Sequence, residues 1–174
     1  MADIKLKYGT DAAFTMTGIE DVDSSSTWTV GWTTSSVNNT STLAVDYLVS
    51  GQFTTEATNR QAGYIYVYAY ASFTNTPTWP DIFSSGTEGS VGAATVHDTE
   101  QRDGGMRLIA ALEVDNGASE VYTFPPTSIA QAFGGIVPAY WALWVTSNAA
   151  TSTNDWCVSS GTTLYYAPVF YQSV

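Results

Sequence analysis

From Gly63 to Ala71 the chain reads Gly-Tyr-Ile-Tyr-Val-Tyr-Ala-Tyr-Ala, a strict two-residue alternation. A strand sends successive side chains to opposite faces. One face of this strand therefore carries Tyr64, Tyr66, Tyr68 and Tyr70, and the other carries Ile65, Val67, Ala69 and Ala71. The aliphatic side is expected to face the core. The phenols, each an apolar body with a polar tip, suit a wet contact surface against another protein, a glycan or a neighbouring copy. The same pattern also fits an amphipathic strand lying under a loop or a second sheet, because aromatic residues are favoured in strands anyway.

Composition points the same way. Only 12% of the 174 residues are charged and 14% are aromatic. Ser, Thr, Gly and Asn take the place of the Lys and Glu that helices favour, as in an all-β domain rich in turns. The length predicts one domain over residues 1–174 with one sizeable core. The net charge of −11, with five basic residues, argues against nucleic acid and against anionic membranes as partners. Cys157 is alone, which leaves no intrachain disulfide and no cysteine-based metal site, and predicts a small core residue. Met1 to Lys5 lacks the apolar run of a secretory leader. The apolar patch around Phe133 to Val145 is broken by Gly134, Gly135 and Pro138, so no membrane span is expected. Asn38 to Ser41 matches two overlapping glycosylation sequons and is read as a turn.

Along the chain, residues 1–10 read as a first strand or a contact arm, with Lys5 and Lys7 alternating with Ile4 and Leu6. Trp28, Val30 and Trp32 are expected on one face of the next strand. Leu43 to Thr55 reads as a long strand whose phase shifts at Leu48-Val49, suggesting a bulge or bend near Gly51. Residues 74–105 are expected to form a long irregular loop of the kind that carries function or is ordered by a partner. A strand from Met106 to Val114, a turn at Asp115-Asn-Gly117 and a short strand stopped by Pro125-Pro126 follow. Thr127 to Gly135 is expected to be the one short helix, capped by Thr127 or Ser128. Trp141 and Trp144 must face opposite ways, so at least one is expected to be exposed or at an interface. About eight strands with one helical turn predict a jelly-roll-like antiparallel β-sandwich.

No catalytic constellation emerges. His97 is the single histidine and reads as a solvated loop residue, and no nucleophile elbow is present. Glu20, Asp21 and Asp23 cluster in an acidic turn, while Glu56, Asp81, Glu113 and Glu120 are dispersed. Asp21-Val-Asp23 lacks the later Gly and Glu of a calcium loop. The expectation is a protein without enzyme activity and without cofactor or metal.

Several segments together carry a resemblance: Met1 to Thr10, Asn39-Thr-Ser-Thr-Leu43, Thr78-Trp-Pro-Asp81, Met106-Arg-Leu-Ile109, Ala132 to Pro138 followed by Trp141, and the closing Tyr165-Tyr-Ala-Pro-Val-Phe-Tyr171. The set resembles small virion structural proteins of tailed bacteriophages and spans nearly the whole chain. It implies a virion role. The first expectation is a capsid decoration or cement protein on the outside of the head, contacting the major capsid protein and copies of itself, most simply as a homotrimer. The alternative is a tail-associated carbohydrate- or receptor-binding module, and a third reading is glycan hydrolysis. The expected contact residues are Lys5, Lys7, Tyr8, Tyr64, Tyr66, Tyr68, Tyr70 and Trp79.

Overall fold

The computed structural model describes residues 3–151 and 156–173. Strands make up 50% of it and helices 8%. In chain order the strands are β1 (Ile4–Tyr8), β2 (Ala12–Ala13), β3 (Val30–Thr33), β4 (Val37–Asn38), β5 (Asp46–Thr55) and β6 (Gly63–Ser72). Then come β7 (Phe83–Ser85), β8 (Gly92–Val96), helix α1 (Thr99–Gly105), β9 (Arg107–Val114), β10 (Val121–Ser128), helix α2 (Ile129–Ala132), β11 (Tyr140–Ser147) and β12 (Cys157–Ser173).

Two antiparallel sheets pack as a sandwich. The first runs β1-β12-β5-β10, with β2 also on β12; the second runs β7-β8-β3-β11-β6-β9, with β4 on β11. If β1 and β2 are taken as one broken strand and β4, β7 and β8 are set aside, eight strands remain. They pair first with last: β1 with β12, β3 with β11, β5 with β10, β6 with β9. One long antiparallel hairpin has thus been rolled up, which adds the pairings β12–β5 and β11–β6 and closes the jelly roll.

The inner faces obey strand periodicity. Tyr47, Val49 and Phe53 of β5 and Leu164 of β12 meet Trp32, Ile65, Val67, Trp141, Leu143 and Val145 of the opposite sheet in one buried cluster. Each such side chain contributes roughly 1.5–3 kcal/mol by leaving water. The alternation of β5 does not shift: Tyr47, Val49, Phe53 and Thr55 are all buried, and Leu48 points out. Gly51 keeps its place in the inward row because a Cβ there would run into the Leu164 side chain and lie 2.6 Å from the Thr163 carbonyl. The glycine makes room for a neighbour rather than marking a bend.

Other expectations need correction. β10 continues through Pro125-Pro126 to Ser128, with a register shift between Phe124 and Thr127. An edge strand tolerates proline at such an irregularity, since no ladder N–H is required there. The helix expected at Thr127 to Gly135 is the four-residue α2, capped by Ser128, whose Oγ accepts the Gln131 N–H at 2.9 Å. Trp28 does not share a face with Trp32. It sits before β3 with φ +59°, and its ring turns to the outer side of the second sheet against Tyr66.

The largest correction concerns residues 74–105. The segment is not irregular: it contains β7, β8 and α1. β8 pairs with β3 and so extends the second sheet, and β7 pairs with β8. Asp98 caps α1, its Oδ1 accepting the Gln101 N–H at 2.7 Å.

Candidate functional site

The tyrosine ladder lies on the outer face of the second sheet, and the 74–105 segment folds over half of it. Tyr70 is 0% and Tyr68 8% exposed. Both pack in a second cluster with Ile82, Phe83, Ala94, Val96, Met106, Ala142 and Trp144. The Tyr70 hydroxyl lies 2.6 Å from Thr33 Oγ1 and accepts the Gly89 N–H at 2.8 Å, and its ring meets those of Trp79 and Phe83. Burial pushes the Tyr70 phenol up to about 12. Trp144 lies under the same cover and donates its indole N–H to the Ala94 carbonyl at 3.3 Å. Arg102 of α1 is buried, reaches the Trp28 carbonyl at 3.0 Å and Asp103 at 2.7 Å, and lies over the Tyr68 ring.

Tyr68 and Tyr70 are therefore unavailable to a partner, and Trp79 is half-buried against Tyr70. Trp141 and Trp144 do face opposite ways, but both are fully buried, one in each cluster. The physical reason is common to Tyr68, Tyr70, Trp141 and Trp144: this sheet has cores on both of its faces.

Tyr64 and Tyr66 remain at the uncovered end. Their rings are parallel, 5.8 Å apart at an interplanar angle of 6°, and Trp28 meets Tyr66 at 4.5 Å. Each ring shields one face of the other, and Tyr66 is further enclosed by Trp28 and Tyr68, so the open aromatic surface at this end is that of Tyr64.

The first sheet is built differently on its outside. Lys5, Lys7 and Tyr8 lie on β1, every residue of which is exposed. β1 pairs with the end of β12 in the register Ile4↔Ser173, Lys5↔Gln172, Leu6↔Tyr171, Lys7↔Phe170 and Tyr8↔Val169. β5 joins β12 only up to Val169, so the rest is a two-stranded ribbon. One ribbon face carries Lys5, Lys7, Phe170 and Gln172. The other carries Ile4 at 72%, Leu6 at 58%, Tyr8 at 63% and Tyr171 at 68% exposure. A groove of about 660 Å³ follows the ribbon between Lys7 and Gln172. Along the same outer face, Leu48, Ser50, Pro126, Tyr165, Ala167 and Asp11 line a depression of about 350 Å³ with Tyr166 at its base. No helix or loop insertion comparable to 74–105 is packed on this face among the described residues. The apolar ribbon row was half legible: Ile4, Leu6 and Tyr8 alternate in sequence, but their match to Tyr171 depends on a pairing between distant segments.

Several other polar groups bond within the fold. His97 Nε2 lies 3.4 Å from Asp81 Oδ1 with both side chains exposed. The Glu20 carboxyl is held below its ordinary value by its own backbone N–H, against partial burial, and by the Ser159 hydroxyl and Gly18 N–H. Asp115 and Glu120 share the Tyr122 hydroxyl at 2.8 and 2.9 Å, and Asp115 accepts the Gly117 N–H at 2.6 Å. These bonds tie the Asp115-Asn-Gly117 turn to the start of β10. Burial pushes the Cys157 thiol well up, as suits a core residue. Among the described residues no three His, Cys, Asp or Glu side chains come together as metal ligands, and no helix is long and apolar enough to cross a membrane. Comparison of the chain with protein families, with curated proteins and with solved structures found no match.

Proposed function

We propose that this chain is a bacteriophage virion structural protein, a decoration or cement protein that binds the outer head shell through non-covalent contacts with the major capsid protein. Its role in this reading is mechanical, without catalysis or cofactor. The motif resemblance supports a virion role, and one structural observation carries the mode of attachment: the β1–β12 ribbon. It projects past β5, and it carries on one face two of the five basic residues of a chain with net charge −11. Lysines on an exposed ribbon suit an acidic shell surface, where complementary charge speeds and orients docking. The alternative of a glycan-binding tail module would rest on the exposed Tyr64 ring alone, since Tyr66 is enclosed by Tyr64, Trp28 and Tyr68.

The test uses purified particles and particles stripped of the protein. Mass spectrometry and cryo-EM should find the chain on the head exterior, and added protein should rebind stripped heads. Deleting residues 2–8 should weaken rebinding at least tenfold while the circular dichroism of the sandwich is retained. Location at the tail tip, or unchanged affinity after the deletion, would overturn the assignment or the ribbon's role respectively.

A further inference from the structure

The outer face of the first sheet carries few charges for a chain of net charge −11. By register its outward residues are Ile4, Leu6 and Tyr8 on β1, and Thr163, Tyr165, Ala167, Val169 and Tyr171 on β12, of which Val169 is already buried by its neighbours. On β5 they are Asp46, Leu48, Ser50, Gln52 and Thr54. None is Lys, Arg or Glu. Asp46 is turned to the backbone, its Oδ1 accepting the N–H groups of Tyr47 and Ala130 at 2.7 and 2.9 Å.

We infer that this face binds a second copy of the same chain, with the apolar ribbon row of one copy seated in the Leu48–Pro126–Tyr165–Ala167 depression of the other. Three observations select this occupant. First, copies of net charge −11 repel one another, so association is favoured where charge is low, and this face meets that condition on both partners at once. Second, the face holds both a projection and a socket. Tyr171 lies four residues beyond Ala167 on β12, about 13 Å along the strand. Two copies set face to face engage both contacts about a twofold axis, and three engage them head to tail in a ring. Third, the four exposed ribbon side chains offer on the order of 500 Å², most of one partner's share of a standard interface.

This inference does not depend on the virion role and is tested on the purified full chain. Sedimentation equilibrium should give a mass of two or three chains. Leu6→Ser with Tyr171→Ser on the ribbon, and Ala167→Arg in the socket, should each weaken association at least tenfold. Combining them should add little, because both break one contact. Circular dichroism and thermal melting check the fold. If either variant unfolds, Tyr8→Ser and Leu48→Lys replace it. Raising salt to about 0.5 M should strengthen self-association by screening repulsion, whereas attachment of the lysine face to an acidic shell should weaken. A wild-type chain that stays monomeric to roughly 100 µM overturns the inference. So does an oligomer whose association changes less than threefold with both classes of variant.

Discussion

The two outer faces of the sandwich present the same problem and solve it in opposite ways. Each carries a row of aromatic or aliphatic side chains pointing away from the main core: Tyr64 to Tyr70 with Trp144 on the second sheet, Ile4 to Tyr8 with Tyr171 on the first. On the second sheet the chain covers the row itself, using β7, β8 and α1 inserted between β6 and β9. The first sheet has no such insertion over it, and its apolar row stays exposed. An outward aromatic row thus does not by itself say whether its face is buried: the chain covers one such row and leaves the other exposed.

The sharpest way to break this comparison is to treat the covered face as real core. Trp144→Ala should cost about 3–5 kcal/mol in chemical denaturation, as much as Trp141→Ala in the main core. A loss below about 1 kcal/mol would mean that the insertion is a loosely attached flap.

Alkali gives the next largest effect. The buried phenol of Tyr70 is favoured neutral, so its folded value, about 12, stands above the ordinary 10.0. Its stabilisation is intact below about pH 10 and is lost as pH climbs toward about 12, amounting to about 2–3 kcal/mol. Tyr70→Phe should flatten that part of the pH–stability curve. At neutral pH it should cost about 1–2 kcal/mol by leaving the Gly89 N–H and the Thr33 hydroxyl short of a partner.

Arg102 ties the cover to the Trp28 turn. Arg102→Ala should cost about 1–3 kcal/mol, with faster amide exchange confined to α1, β7 and β8. The smallest effect belongs to the bare face. Leu6→Ser should change the stability of the separated chain by no more than about 0.5 kcal/mol, while Tyr64→Ala at the uncovered end of the ladder should cost far less than Tyr70→Ala. A large loss from Leu6→Ser in the monomer would show that the row is already packed against its own molecule.

Much of the architecture was readable from residue order. The alternation of β6, the opposed directions of Trp141 and Trp144, the cap at Ser128 and the turn at Asp115-Asn-Gly117 are local consequences of backbone geometry. Those signals sufficed for a jelly roll. The candidate surface was less legible. Lys5, Lys7 and Tyr8 lie on an exposed ribbon, but Tyr68 and Tyr70 look in sequence the same as Tyr64 and Tyr66. Segment 74–105 looked irregular because its strands are of three and five residues and its helix of seven, too short for periodicity to register, although Asp98 three residues before Gln101 was a capping signal.

Sequence alone determined which side chains share a face, because period two is a property of a single strand. Tertiary structure alone decided which faces are covered, because that depends on where another segment of the chain packs. Tyr70 lies beneath Phe83 and Trp79 of the segment that folds back after its own strand, and Tyr171 stands beside Leu6 from the other end of the chain. Burial is a sum over such non-local neighbours, and no local pattern encodes it.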